Sequence, residues 1–148
     1  MNRNGHPEID PELLLIATHE LGHAIVWKAG GLHIKSIRVR KGWCSNSAVE
    51  LDLGKTTWTP ETGRIYLVGM LAGREADAYW CEITGQRHNE RHSADDMAAF
   101  HRYRRQTTWA KGTPERPFRA EARAAVQEHW STIERLAPQL ASRGTVAL

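Results

Sequence analysis

Apolar residues recur at helical spacing over two long segments of the chain. Residues 13–26 are mostly apolar and predict a helix that begins near Asp10-Pro11, where Asp caps the first turn and Pro fits into it. The double glycine Gly30-Gly31 predicts the end of this helix, because glycine permits the left-handed conformation that closes a helix. A longer helix is predicted to follow Thr59-Pro60-Glu61 and to run to about Thr84-Gly85.

The longer helix carries a stripe of small and apolar side chains that predicts its buried face. On this helix Gly69 and Gly73 lie four residues apart, which leaves room for another helix to approach closely. The predicted buried stripe consists of Ile65, Val68, Gly69, Ala72, Ala76, Tyr79 and Ile83.

Between the two helices the pattern changes to a period of two. Ile37 and Val39 alternate with basic residues in segment 34–40, and apolar residues alternate with acidic ones over 49–53. With a turn through 42–47, the two segments predict an antiparallel pair of strands.

The last third of the chain is predicted to be helical with two interruptions. A helix is expected over residues 93–108, and a break follows around Gly112–Pro117. A further helix is expected over Arg119–Leu136, and Pro138 is expected to interrupt it because proline lacks the backbone N–H that a helix interior needs.

Together these elements predict a mainly α fold (α+β) with a small antiparallel strand pair. A chain of 148 residues is long enough for one substantial core, so we expect a single domain over residues 1–148, with residues 1–8 loose. The sequence shows no run of about 18 apolar residues and no signal-peptide pattern, so we expect no membrane span and a cytoplasmic location. Cys44 and Cys81 fit no C-x-x-C spacing and are expected to be reduced, ordinary residues.

The charge balance adds little to this picture. The formal net charge is +3, and the densest basic segment is Arg102-Tyr103-Arg104-Arg105 on a predicted helix. Because no nucleic-acid-binding motif accompanies it, we interpret the segment as a solvated helix face and do not expect a nucleic-acid partner.

The strongest chemical signal is the H-E-x-x-H motif of His19, Glu20 and His23 in the first helix. Residues four apart share one helix face, so both imidazoles can reach one ion, and imidazole binds Zn²⁺ well. Glu20 lies next to His19 and is placed to take a proton from a water molecule beside the metal. The surrounding run is apolar, and a metal explains two histidines there better than two unpaired buried rings do.

The third ligand has several candidates in the sequence. The metzincin pattern is excluded, because Val26 and Ala29 stand where it requires Gly and His. Glu75 on the long helix, or Asp95 or Asp96 beyond it, remain as candidates. Asp96 has a structural alternative, since Ser93 and Asp96 have the spacing of a capping box. Glu75 and Asp77 are also candidates for orienting the histidines.

Several segments resemble the peptidase domain of FtsH-type ATP-dependent zinc metalloproteases. The sequence His19–Ala24 is similar to that family's His-Glu-Ala-Gly-His-Ala, and residues 34–42 resemble its first strand. Leu71–Asp77 resembles its Gly-Gly-Arg-x-Ala-Glu signature, with Asp77 in place of Glu. Ser93–Met97 resembles the segment that supplies the third ligand, and Ile133–Ala137 is similar to the last helix.

The resemblance implies a zincin-like helical domain with its strand pair beside the metal-binding helix. It implies His19, His23 and Asp96 as zinc ligands, Glu20 as the base, and Asp77 as an acid that supports the ligands. In zinc peptidases a strand beside the metal helix commonly pairs with an extended substrate. For each strand taken singly, a purely structural hairpin is an equally good interpretation.

The sequence departs from that family in having no membrane helix and no P-loop. We therefore expect a stand-alone zinc peptidase that acts on peptides or unfolded protein segments, or that receives its substrate from a separate partner. The sequence leaves the oligomeric state open. Rival interpretations are a regulatory peptidase that clips one partner, a hydrolase of a non-peptide amide, and a catalytically silent, metal-stabilised interaction domain.

Overall fold

The computed structural model describes residues 8–41 and 47–148. Within them the protein is mainly helical and has one two-stranded antiparallel sheet, which confirms the predicted fold class. Two short 3-10 turns, Leu53–Lys55 and Glu90–Ser93, precede the second and third helices. The order is α1 (Pro11–Ala29), β1 (Ile34–Arg38), β2 (Ala48–Leu51), α2 (Pro60–Thr84), α3 (Ala94–Gln106), α4 (Glu115–Glu128) and α5 (Trp130–Arg143).

The first two helices begin and end where their capping residues predict. The Asp10 side chain accepts a hydrogen bond from the backbone N–H of Glu12 at 2.8 Å. Thr59 and Thr62 form a reciprocal capping box at the start of α2. Gly85 closes α2 in the left-handed conformation, at φ 71°. Local capping therefore sets the ends of both helices.

Helices α1 and α2 pack closely because small residues line their contact. A Cβ built at Gly22 would lie 2.6 Å from the Ala72 carbonyl oxygen, and one built at Gly69 would lie 1.9 Å from Trp27 Nε1. The expected role of Gly69 in close helix packing is thus confirmed. Residues 16–27 of α1 are all buried, and α1 also packs against α5 and the strand pair. The central helix of the domain is therefore the one that carries the H-E-x-x-H motif.

The strand pair leaves one edge of β2 open among the described residues. Strands β1 and β2 are antiparallel, with Ile37 opposite Val49. The other side of β1 contacts the end of the chain, where Arg38 bridges to Thr145 and the Val39 N–H donates to the Gly144 carbonyl at 2.9 Å. The C-terminal segment thus covers one edge of the sheet.

Two apolar residues do not have the surroundings that the sequence predicts. Leu53 was expected in the second strand, but it begins a 3-10 turn and its surface is 56% exposed. Ile83 was expected in the buried stripe of α2, but it is 55% exposed and borders a cavity between the end of α2 and helices α1 and α5. Both expectations were wrong, since periodicity alone does not show where the partner of a helix or strand ends.

The helical pattern of the last third is also corrected by the structure. The predicted helix over 119–136 is two helices, α4 and α5, that meet at His129 (φ −100°, ψ 12°). Pro138 does not interrupt α5 but lies inside it. The helix continues through Pro138 because its apolar stripe stays buried on both sides of the proline. That stripe consists of Ile133, Leu136, Ala137, Leu140 and Ala141.

Other expectations concern the loops and the basic segment. The loose segment, apart from Glu8, and most of the turn at 42–47, with Cys44, lie outside the described residues. Cys81 is a buried free thiol.

The basic segment of α3 is not a uniform solvated face, because Tyr103 packs edge-on against Tyr66 and Arg104 donates to the Thr113 carbonyl at 2.9 Å. No helix among the described residues combines the length and apolarity that crossing a membrane requires.

Candidate metal centre

His19 and His23 point their Nε2 atoms toward one position beside α1. They lie one helical turn apart, and their Nε2 atoms are 3.1 Å from each other. Both side chains are buried, at 3% and 4% exposure. Two imidazole nitrogens that converge inside a core need a shared partner there, because a buried polar atom without one is costly.

The outer nitrogen of each ring is held by a separate hydrogen bond. His19 Nδ1–H donates to Asp77 Oδ2 at 2.7 Å, and His23 Nδ1–H donates to the Gly69 carbonyl at 2.7 Å. The His23 ring also stacks on Trp27, with centroids 5.3 Å apart and planes 19° apart. A ring whose Nδ1 donates in this way presents its Nε2 to a metal ion, and such bonds fix the ring orientation.

Asp96 brings a carboxylate oxygen from α3 to the two rings. Its Oδ2 lies 2.8 Å from His19 Nε2 and 3.0 Å from His23 Nε2. The capping-box alternative does not hold, because the Ser93 side chain makes no capping hydrogen bond. The neighbouring Asp95 is exposed to solvent and makes no contact with the rings among the described residues. Asp96, rather than Asp95, therefore joins the two histidines.

The three donor atoms fit a zinc ion in number, type and spacing. Catalytic zinc sites use three protein ligands, and a tetrahedral ion with ligands at 2.0–2.1 Å separates them by about 3.3 Å. The observed separations of 2.8–3.1 Å require shifts of about 0.2–0.5 Å to reach that value. A Cβ built at Gly73 would lie 2.3 Å from His23 Nε2 and 2.7 Å from His19 Nε2. Glycine at 73 therefore keeps the space beside both nitrogens free of side-chain atoms.

The charges around the site attract a cation. Burial opposes protonation of His19, but Asp77 and Asp96 outweigh it and hold its pKa well above the usual value. Burial likewise opposes ionisation of Asp96, yet the two histidines hold its pKa far below the usual range. An ionised carboxylate beside two imidazoles is a donor set that borderline metals such as zinc prefer.

Glu20 lies in a small cleft next to these ligands. The cleft has a volume of about 170 Å³ and is lined by Glu20, His23, Trp27, Asp96 and residues 47–49. Burial raises the pKa of the Glu20 carboxyl, and His19 and His23 partly offset this effect. A carboxylate with a raised pKa is a better proton acceptor, which suits a general base.

Glu75 belongs to a different cluster. Its carboxylate lies 2.7 Å from Arg74 Nη1, 3.6 Å from Arg119 Nε and 3.9 Å from Arg123 Nη1. These contacts join α2 to α4, and none of the contacts described for Glu75 reaches a histidine of the site. The structure therefore does not support Glu75 as a ligand or as an acid that orients the histidines, and it places Asp77 in the orienting position.

Sequence reasoning missed three contributors to this site. The Gly69 carbonyl accepts a hydrogen bond from His23, and the Trp27 ring stacks on His23. Gly73 leaves the space beside both histidine rings free. The spacing of Gly69 and Gly73 indicated close packing, but it did not indicate that Trp27 approaches Gly69 or that the two candidate histidine ligands approach Gly73. A backbone carbonyl carries no side-chain signal, so its role appears only in the folded chain.

Comparison of the chain with protein-family models and with curated protein sequences returned no match. The class of protein therefore rests on the site itself.

Proposed function

We propose that this chain is a zinc-dependent metallopeptidase that hydrolyses peptide bonds in peptides or flexible protein segments. The observation that best supports this is the meeting of His19, His23 and Asp96 donor atoms within 3.1 Å of one another. Glu20 lies in the same cleft, on the same helix as both histidines. This combination has the ligand number of a catalytic zinc site and supplies an acid that a purely structural site does not need.

The chain's own residues have distinct roles in the proposed reaction. A bound Zn²⁺ would supply a Lewis acid that polarises the scissile carbonyl and makes a water molecule more acidic. Glu20 would accept a proton from the attacking water and pass it to the departing amine. Asp77 and the Gly69 carbonyl would hold the two imidazoles in place during this transfer.

The open edge of β2 is the feature that favours a substrate in extended conformation. Ser47, Ala48 and Val49 line the cleft beside Glu20, and β2 has no second neighbour among the described residues. A peptide in extended conformation can pair with such an edge through its backbone, which gives affinity with little dependence on sequence. The small cleft favours a single extended segment over a folded domain as the substrate.

The resemblance to FtsH-type peptidase domains remains part of this proposal. Asp96 and Asp77 stand where that resemblance implies a ligand and a supporting acid, and their contacts agree with those roles. The 148 residues contain no P-loop motif, so these residues do not themselves supply ATP-driven unfolding of a substrate. A cytoplasmic location and delivery of substrate by a separate partner remain predictions.

Metal analysis together with digestion of a random peptide library tests the proposal. The purified protein is expected to hold about one zinc per chain and to cleave peptides. Glu20→Gln is expected to keep the metal and to lose turnover by several orders of magnitude. Glu12→Gln, at the start of the same helix, is the matched control and is expected to retain activity.

The ligand assignment is tested with a pair of neighbouring variants. Asp96→Ala is expected to lose zinc, whereas Asp95→Ala is expected to retain it, because Asp96 contacts both histidines and Asp95 does not. Zinc retention without cleavage of any peptide by the parent would instead favour a silent, metal-stabilised domain. Equal cleavage by the parent and by Glu20→Gln would refute the proposed base.

A further inference from the structure

A second cavity among the described residues lies away from the candidate metal centre, between the end of α1, the start of α5 and residues 147–148. Its volume is about 480 Å³, which falls within the range of small-molecule sites, whereas the cleft at Glu20 is smaller than that range. Much of its wall is apolar. The apolar lining residues are Ile25, Ala29, Leu136, Ala147 and Leu148.

Two of the four polar side chains in this cavity are cations, Lys28 and Arg135. His129 and Thr132 also line it, and no Asp or Glu is among the lining residues. None of these four side chains forms an ion pair or a side-chain hydrogen bond within the described part of the chain. In contrast, Arg74, Arg119 and Arg123 each contact an acidic side chain. The cavity thus brings two unpaired cations, Lys28 and Arg135, next to an apolar wall.

The cavity and the metal centre lie on different faces of α1. Ile25 is two residues beyond His23, which places it about 200° round the helix from that ligand. Lys28 and Ala29 extend the same face toward the end of α1. A molecule in the cavity would therefore not contact the zinc ligands.

We propose that this cavity binds an organic anion with a single carboxylate head and an aliphatic body. The head would pair with Lys28 and Arg135, since charge-assisted hydrogen bonds to a carboxylate are the strong polar contacts in such sites. The His129 ring and the Thr132 hydroxyl are further polar contacts for it. The aliphatic body would cover the apolar wall, which removes that surface from water.

Isothermal titration calorimetry with decanoate, below the concentration at which it forms micelles, tests the proposal. Decanoate is expected to bind at least tenfold more tightly than decanol, which has a similar body without the charge, and acetate is expected not to bind measurably. The double variant Lys28→Gln/Arg135→Gln is expected to weaken decanoate binding by about tenfold or more and to leave decanol binding unchanged. The measurement needs neither zinc nor a peptide, so its result is independent of the proposed peptidase activity.

Two further variants distinguish a site from general adsorption. Ala29→Trp places a large side chain at an exposed position of the wall and is expected to abolish decanoate binding while the helix content stays unchanged. Arg105→Gln/Lys111→Gln removes two exposed cations elsewhere and is the matched control, with binding expected at the parental level. Absence of decanoate binding, equal affinity for decanoate and decanol, or full binding by Lys28→Gln/Arg135→Gln would each overturn the proposal.

Discussion

Replacing Gly73 by alanine should damage the metal centre although it adds only one methyl group. A Cβ at position 73 would lie 2.3 Å from His23 Nε2, 2.7 Å from His19 Nε2 and 2.7 Å from His23 Cε1. Ordinary contacts of this kind lie at about 3.5–4.0 Å. One or both imidazoles must therefore move by about 1 Å, away from the position where their Nε2 atoms meet Asp96.

Two opposing effects set the size of the change in stability. Alanine inside a helix is more favourable than glycine by about 1 kcal/mol. Overpacking a core costs about 1–3 kcal/mol, so the net loss for the zinc-free protein is about 0–2 kcal/mol. Zinc binding should suffer more, because a metal site tolerates errors of only about 0.2 Å in its ligand distances. We expect zinc affinity to fall by at least about 10–100-fold, as when the support of a ligand is lost.

Zinc affinity is measured by competition with a chromophoric chelator, and thermal unfolding is followed with zinc and with excess chelator. For Gly73→Ala, the difference between the two melting temperatures should shrink or vanish, whereas circular dichroism should still show a helical protein. Gly54→Ala is the control, since its Cβ would meet no atom nearer than Asp52 Oδ1 at 3.6 Å. Parental zinc affinity in Gly73→Ala would refute the reasoning that position 73 borders the ion.

Three other predictions rest on one hydrogen bond and on the burial of two side chains. Asp77→Asn should lower zinc affinity by about 10–100-fold, because it weakens the acceptor that holds His19 Nδ1–H; unchanged affinity in the chelator competition would exclude that role. In a Cys44→Ser background, Cys81 should react with a thiol reagent far more slowly in the native protein than in denaturant, because it is 4% exposed and burial raises the pKa of its thiol; equal rates would contradict its burial. Phe100→Ala should cost about 3–5 kcal/mol of unfolding free energy, because Phe100 is fully buried. The exposed Ile83→Ala should cost less than about 1 kcal/mol in the same urea titration, and a similar loss in both variants would place Ile83 in the core.

The fold was predictable where local chemistry decides the structure. Helix α1 begins directly after the capping residue Asp10, with Pro11 in its first turn. Helix α2 begins after the capping residue Thr59 and ends before Gly85. These bounds follow from capping rules. The sequence-based predictions were wrong where tertiary packing determines the structure. Pro138 would end an isolated helix, but the buried stripe of α5 keeps that helix intact across it. Ile83 has the right spacing for the stripe of α2, but it borders a cavity and stays 55% exposed.

The candidate site divides in the same way. The spacing of His19 and His23 determines that their rings share a face of α1, so this pair was predictable from the motif alone. The choice among Glu75, Asp95 and Asp96 was not, because it depends on how α2 and α3 are placed relative to α1. The family resemblance implied Asp96, and the contacts at 2.8 and 3.0 Å agree with it. The hydrogen bond that orients His23 could not be predicted, because its acceptor is the backbone carbonyl of Gly69 and every residue has such a carbonyl.

Helix α3 contributes Asp96 to the metal centre but buries only one side chain completely, Phe100. Segments with few buried apolar contacts open locally at a lower free energy than the whole domain. The rate at which an ion exchanges at this centre would then be set by local detachment of α3 from the rest of the protein, and not by global unfolding. An ion held by residues 19, 23 and 96 would in turn fasten α3 to the central helix, so that occupancy by metal would slow amide hydrogen exchange in α3 more than in α1 or α2.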